Sequence, residues 1–203
     1  MRRLRHFVAF FVIPLCAATL GAPSFADDKA DVRAFVESLT DEAVALAKDS
    51  QADDAVRTEK LGALLKAKAD YRWIAGFAAG AGLKEAGEEQ RNRYFDLYPR
   101  YLVKNYLPKF KNYAGGAKPI IYSVDGQNGK FVVKTRLKGQ NGAPLAVDYR
   151  IRKTDEGFKI YDVIAEGVSL IVTQRSEFSA FIQRAGMDGF LDKLQRYVEG
   201  NGA

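Results

Sequence analysis

Residues 165–178 read AEGVSLIVTQRSEF, and the reading of this stretch decides the fold. It opens on an acidic-glycine break, passes through a dense apolar run and closes on Thr-Gln-Arg-Ser-Glu. A membrane span, a further strand and a core helix would each accommodate such a run. It is far shorter than the roughly 20 apolar residues a spanning helix needs. Gly167 breaks the strand that precedes it, and the Ser169 hydroxyl suits a helix N-cap. From there Val168, Ile171, Val172, Phe178, Phe181, Ile182 and Ala185 follow an approximate helical stripe. The stretch is therefore expected to be an amphipathic helix folded back on a sheet. Gly186 is expected to end it, and Phe190, Leu191, Leu194 and Val198 mark a last short helix.

The sheet lies immediately upstream. Ile120-Tyr122-Val124, Phe131-Val133-Leu137, Leu145-Val147-Tyr149-Ile151 and Phe158-Ile160-Ile164 alternate at period two. Turn sequences separate them: DGQNG at 125–129, GQNG at 139–142 and TDEG at 154–157. This spacing predicts a four-stranded antiparallel meander. The opposite face carries Lys134, Arg136 and Lys138, then Asp148, Arg150 and Arg152, and is expected to be wet.

The first half has helical period. Val32, Phe35, Val36, Leu39, Ala43, Leu46 and Ala47 lie three and four apart. A polar gap, KDSQADDAVRTEK, separates them from Leu61, Leu64 and Leu65, where the pattern resumes. The glycine-rich GAGLKEAG at 80–87 should bend or interrupt the next helix. Phe95, Tyr98, Leu102, Tyr106 and Phe110 form a further stripe, with Pro99 and Pro108 expected as kinks or boundaries. The fold class is thus α+β: helices, a curved antiparallel sheet, then closing helices. Composition leaves open whether the interior between them is filled or hollow.

At the N-terminus, Arg2, Arg3 and Arg5 precede the apolar core FVAFFVIPLCAATL, and Ser24-Phe25-Ala26 supplies a small-x-small site. This pattern predicts a cleaved secretory signal over 1–26 and a single domain over 27–203. Lipidation at Cys16 is the rival reading, and Pro14 and Leu15 suit it poorly. Removing 26 of the 203 residues leaves 177, takes the formal charge from +6 to +3, and deletes the only cysteine and the only histidine. The exported chain then has no thiol nucleophile, disulfide, Ser-His-Asp triad or Cys/His zinc site. Carboxylate chemistry remains. Export and a charge of +3 give little footprint for nucleic acid.

The segments VDYRIRK (147–153), GFKIYDVIAEGVSLIVTQRSEF (157–178) and GMDGFLDKL (186–194) closely resemble the periplasmic phospholipid-binding component of the Mla (maintenance of lipid asymmetry) pathway, a toluene-tolerance auxiliary family of ABC transport. Asp70, Ile74 and Gly80 match its Asp-x-x-x-Ile element and following glycine, and Glu89-Gln90-Arg91 matches the start of its next helix. This chain has Ala81 and Leu83 where relatives usually carry Arg and Trp. The resemblance implies a carrier in the periplasm that holds phospholipid acyl chains between sheet and helices. It implies phospholipid as cargo rather than any cofactor. The partners it implies are an inner-membrane ABC transporter complex with its substrate-binding domain and an outer-membrane lipoprotein complex. No catalysis by the carrier is implied.

On that reading the apolar cavity lies at or above the upper end of the ~300–1,000 Å³ usual for small-molecule sites. Its expected lining is Val133, Val147, Tyr149 and Ile151 from the strands, Trp73, Phe77, Leu102 and Tyr106 from the helical half, and Val168, Ile171 and Val172 from the opening stretch. For each of these, an ordinary packed core position is the plain alternative. Asp162 sits among Ile160 and Ile164, where a buried structural hydrogen bond to the helix start near Val168–Ser169 is expected. Arg175 is expected to meet a carboxylate such as Glu166. Two rival functions fit the same architecture. One is a ketosteroid-isomerase-like pocket enzyme with Asp148 or Asp162 as base; the other is a chaperone-like periplasmic binding module.

Overall fold

The computed structural model describes residues 25–49, 53–114, 118–138 and 144–200. The apolar run at 7–20 with Cys16, and the whole turn at 139–142, lie outside the described residues. The elements run α1 (Phe25–Lys48), α2 (Asp54–Lys68), α3 (Tyr71–Ala79), α4 (Ala81–Glu85), α5 (Glu88–Ala114), β1 (Ile120–Gln127), β2 (Lys130–Lys138), β3 (Pro144–Thr154), β4 (Gly157–Ala165), β5 (Val168–Ser169) and α6 (Leu170–Glu199). The strands form one antiparallel sheet in the order β1-β2-β3-β4-β5. The sheet has five strands, not the four that periodicity predicts.

The fifth strand explains the opening stretch. Glu166 and Gly167 take positive φ values of 48° and 80°, the left-handed geometry of a tight hairpin turn. Val168 then pairs with Ala165, and Ser169 with Ile164. Only after this two-residue strand does α6 begin, with the Ser169 hydroxyl accepting from the Val172 N–H at 3.3 Å. The cap is where the sequence places it. The stripe is not: Ile171 and Phe178 are buried, whereas Val168 and Val172 are 56% and 51% exposed. Gly186 (φ 71°, ψ 175°) is non-helical and divides α6 at a kink into two helices, where the sequence places the break, and the second runs to Glu199.

Two β-bulges change which residues face inward. In β1 the register slips at Tyr122, so Ile120 and Tyr122 stand exposed and Ile121 and Val124 pack on the core instead. In β4, Ile160 pairs with Ile151 while Asp162 pairs with Arg150, leaving Tyr161 as the extra residue. Beyond it Val163 and Ala165 oppose Tyr149 and Val147, and Ile164 opposes Asp148 on the outer face. Period-two counting assigns Ile164 to the wrong side because one inserted residue inverts the parity.

The helices cover the inner face. Asp53 and Asp70 cap α2 and α3 by accepting from Val56 N and Trp73 N at 2.7 and 3.3 Å. Gly80 (φ 58°, ψ −128°) separates α3 from α4, so the glycine-rich segment interrupts the helix as expected. Helix α5 runs unbroken through Pro99 and Pro108. Pro99 is wholly buried, and packing against α6 holds the helix together despite two missing N–H donors. That contact is aromatic: ring centroid to centroid, Phe178 lies 5.4 Å from Tyr101 and 6.3 Å from Tyr98, and Phe190 lies 6.0 Å from Tyr94. The outer sheet face stays wet, with the Lys134 and Arg150 side chains 42% and 43% exposed.

Candidate functional site

The inner face of the sheet and the helices over it do not close on each other. Between them lies a cavity of about 620 Å³. This sits mid-range for small-molecule sites rather than at the upper end expected from the sequence. Leu39 and Ala43 of α1, Leu61, Leu64 and Leu65 of α2, and Leu102 and Val103 of α5 form the helical wall. Leu137, Leu145, Val147, Tyr149, Ile160, Val163 and Ala165 form the sheet wall, and Leu170, Ile171 and Gln174 of α6 close one end. Helix α2 shows why the interior stays open. No described residue of α2 is fully buried, and Leu61, Leu64 and Leu65 border the cavity, with Leu65 also packed against the core. Alanines at 43, 69 and 165 leave further room.

Polar ties hold the walls apart. Tyr98 donates to Gln174 Oε1 at 2.6 Å, and Gln174 Nε2 donates to Tyr106 at 2.9 Å, bridging α5 to α6 across the cavity wall. The α2–α3 junction is anchored to the sheet by Asp70 N–H donating to Ile160 C=O at 2.8 Å and by Lys159 donating to Ala67 C=O at 2.7 Å. At the rim Lys68 pairs with Glu42 at 2.9 Å. Asp162, 1% exposed, sits under the first turn of α6. It accepts from Ser169 Oγ at 2.8 Å, Arg150 Nη1 at 3.2 Å and Ile171 N at 3.5 Å. A carboxylate so occupied fixes the helix start and compensates its own burial.

Five of the residues singled out in the sequence line the cavity: Leu102, Tyr106, Val147, Tyr149 and Ile171. Val133 and Ile151 lie on the same sheet face but are sealed in solid core at 0% exposure. Val168 and Val172 face outward. Trp73 and Phe77 are also off the wall and build an external ladder. Arg152 lies over Trp73 at 5.0 Å, Trp73 stacks on Phe77 at 5.4 Å, and Arg175 covers Phe77 at 4.8 Å. Arg175 also donates to Phe77 C=O at 2.8 Å, while Glu166 accepts from Ala146 N–H at 2.5 Å, so the expected Arg175–Glu166 pair does not form. Sequence reasoning missed the α2 leucines, Gln174 and Ala165. The α2 leucines were visible as a helix face, but nothing in their spacing says that the face meets a void.

The site offers no catalytic constellation among the described residues. No cluster there could hold a metal ion. Asp148 pairs across the strands with Lys134 and Ile164 and is absent from the cavity wall. Likewise, no described helix is long and apolar enough to cross a membrane.

Burial raises the phenol pKa of Tyr94, Tyr98, Tyr101 and Tyr106, and pushes Tyr149 up to about 12. In the unfolded chain these groups ionise near 10. Below that pH both states hold the proton and stability is unaffected. As pH rises past about 10 the unfolded state alone releases protons, so the fold weakens progressively towards pH 12. Thermal melts across this range should show a plateau and then a steep decline, with the tyrosinate absorbance of these five phenols appearing only as the protein unfolds.

The protein-family model described as "MlaC protein" matches residues 37–196. A curated relative, the "Intermembrane phospholipid transport system binding protein MlaC" of Haemophilus influenzae, is 23% identical over 121 residues, a stretch covering 58% of this chain and 56% of that protein's length. Among solved structures, a phospholipid-binding protein from Ralstonia solanacearum, in complex with a phospholipid, superposes with a TM-score of 0.70. It is 24% identical, and the match takes in 84% of this chain and 98% of that one. That likeness shows the fold.

Proposed function

The chain belongs to the MlaC protein family, and from that premise we propose that it is a phospholipid carrier that encloses acyl chains in the cavity and leaves the head group at its mouth. The observation that carries this reading is the cavity itself: about 620 Å³, walled mainly by leucine, valine, isoleucine and alanine. The phospholipid held by the Ralstonia solanacearum protein of the same fold supports it.

The physical case is one of matched solvents. Burying a methylene is worth roughly 0.8 kcal/mol, so two chains of about thirty methylenes represent some 24 kcal/mol against water. A free lipid cannot cross an aqueous space at a useful rate against that cost. Inside an apolar chamber it exchanges one hydrocarbon surrounding for another, and net transfer from bilayer to protein lies near zero. Direction is then set by the partners. For these we propose an inner-membrane ABC transporter complex with its substrate-binding domain and an outer-membrane lipoprotein complex, with residues 1–26 as the cleaved leader into the periplasm and 27–203 as the single lipid-binding domain.

No bond needs to be made or broken in this role. The two carboxylates that a pocket enzyme would use give that reading no support, since Asp162 is occupied by α6 and Asp148 faces away from the cavity. Gently purified protein should carry phospholipid in native mass spectra, released on denaturation at up to one molecule per chain. Repeated isolation of lipid-free protein from a membrane-containing source, with no uptake from vesicles, would remove the carrier reading.

A further inference from the structure

One polar group on the cavity wall has nothing to bond. Among the described residues, Thr40 donates to Val36 and Glu37 C=O, both at 2.9 Å, and Lys68 is engaged by Glu42. Tyr98, Gln174 and Tyr106 form their own ladder, and Asp162 serves Ser169 and Arg150. Tyr149 differs. It is 4% exposed, lines the cavity, and its hydroxyl has no hydrogen-bond partner among the described residues. Nor is that oxygen among the unpaired polar atoms sealed within protein, so it opens on the cavity.

Packing alone does not call for this hydroxyl. Tyr149 stands opposite Val133 and Val163 in the sheet, where a phenylalanine ring would serve equally. Buried polar groups are nearly always paired, and an unpaired one needs an explanation. Burial keeps the phenol protonated at any ordinary pH, so it is a permanent donor turned to an otherwise apolar space. Cargo that displaces water from this space is then left to supply the acceptor. Acyl chains have none along their length, and the nearest acceptor on a glycerophospholipid is the ester carbonyl at the head of each chain.

We propose that the Tyr149 hydroxyl donates a hydrogen bond to an acyl ester carbonyl of the bound lipid, which makes the cavity selective for ester-linked over ether-linked chains. This rests on the carrier reading and assigns a recognition residue to the same cavity. A single hydrogen bond to a neutral carbonyl is worth roughly a three- to tenfold difference in affinity.

The test is a competition on the full chain, first stripped of lipid, between diacyl phosphatidylglycerol and the dialkyl ether of the same head group and chain length. Occupancy is read by native mass spectrometry. The native chain should prefer the ester roughly three- to tenfold, and Tyr149→Phe should hold both lipids at the level of the ether. Equal uptake of the two lipids by the native chain overturns the proposal while leaving the carrier reading intact, as does a preference that survives Tyr149→Phe. Uptake of neither lipid overturns both. A second readout is independent of cargo. Lipid-free Tyr149→Phe should melt at or above the native temperature, because an unpaired donor is removed; a marked fall would show that the hydroxyl has a structural partner and end the proposal.

Discussion

Asp162→Ala is expected to destabilise the protein by about 3 kcal/mol, because three groups lose their acceptor at once. Ser169 Oγ, Ile171 N and Arg150 Nη1 all converge on this carboxylate, whose side chain is 0% exposed. Hydrogen bonds to a charged group contribute roughly 1.5–3 kcal/mol each, and orphaned donors add their desolvation. The Arg150 contact contributes least, since that side chain is 43% exposed and water replaces the carboxylate readily. Asp162→Asn keeps one acceptor oxygen for Ser169 and should lose about half as much. Urea unfolding reads the difference as a lower midpoint at unchanged m value. The loss should also reach function, because Leu170 and Ile171, the first two residues of α6, close one end of the cavity. A shift below about 1 kcal/mol would mean that the carboxylate is a bystander to the helix start.

The same residue shows how far the sequence could be read. A carboxylate expected near a helix cap is found under that cap because both signals are local: Ser169 caps within three residues, and Glu166-Gly167 makes the turn that brings β5 back to β4. The inward faces of β2 and β3 were equally legible, since neither strand contains an extra residue in its pairing with the other. Strands β1 and β4 were not. A bulge at Tyr122 or Tyr161 is one residue in a ladder, leaves no mark on composition, and reverses every assignment beyond it. Trp73, Phe77, Val168 and Val172 share a different cause. Each is apolar at a helical or strand-edge position, and scattered apolar residues commonly remain at the surface; Arg152 and Arg175 cover Trp73 and Phe77, whereas Val168 and Val172 stand exposed. The void is the least legible feature, because it belongs to no residue. Leu61, Leu64 and Leu65 would read identically over a filled core.

If the void is what the protein uses, filling it should abolish loading without harming the fold. Ala165→Trp is the substitution of choice. Ala165 lies on β4 past the bulge, opposite Val147, is half-buried, and forms part of the cavity wall. An indole there extends into open space rather than into packed side chains, so the usual cost of overpacking does not arise. Empty apolar volume is unfavourable by about 24 cal/mol per Å³, and filling part of it should leave the melting temperature unchanged or raise it by a few degrees. Lipid occupancy should fall at least about tenfold, since the acyl chains lose the volume and contacts that offset their removal from the bilayer. Ala43→Trp approaches the same space from α1 on the opposite wall and should act in the same way. Two folded variants, blocked from opposite sides, separate occupancy of the chamber from damage to either element alone. Lipid loading at the native level in both would place the cargo elsewhere on the molecule.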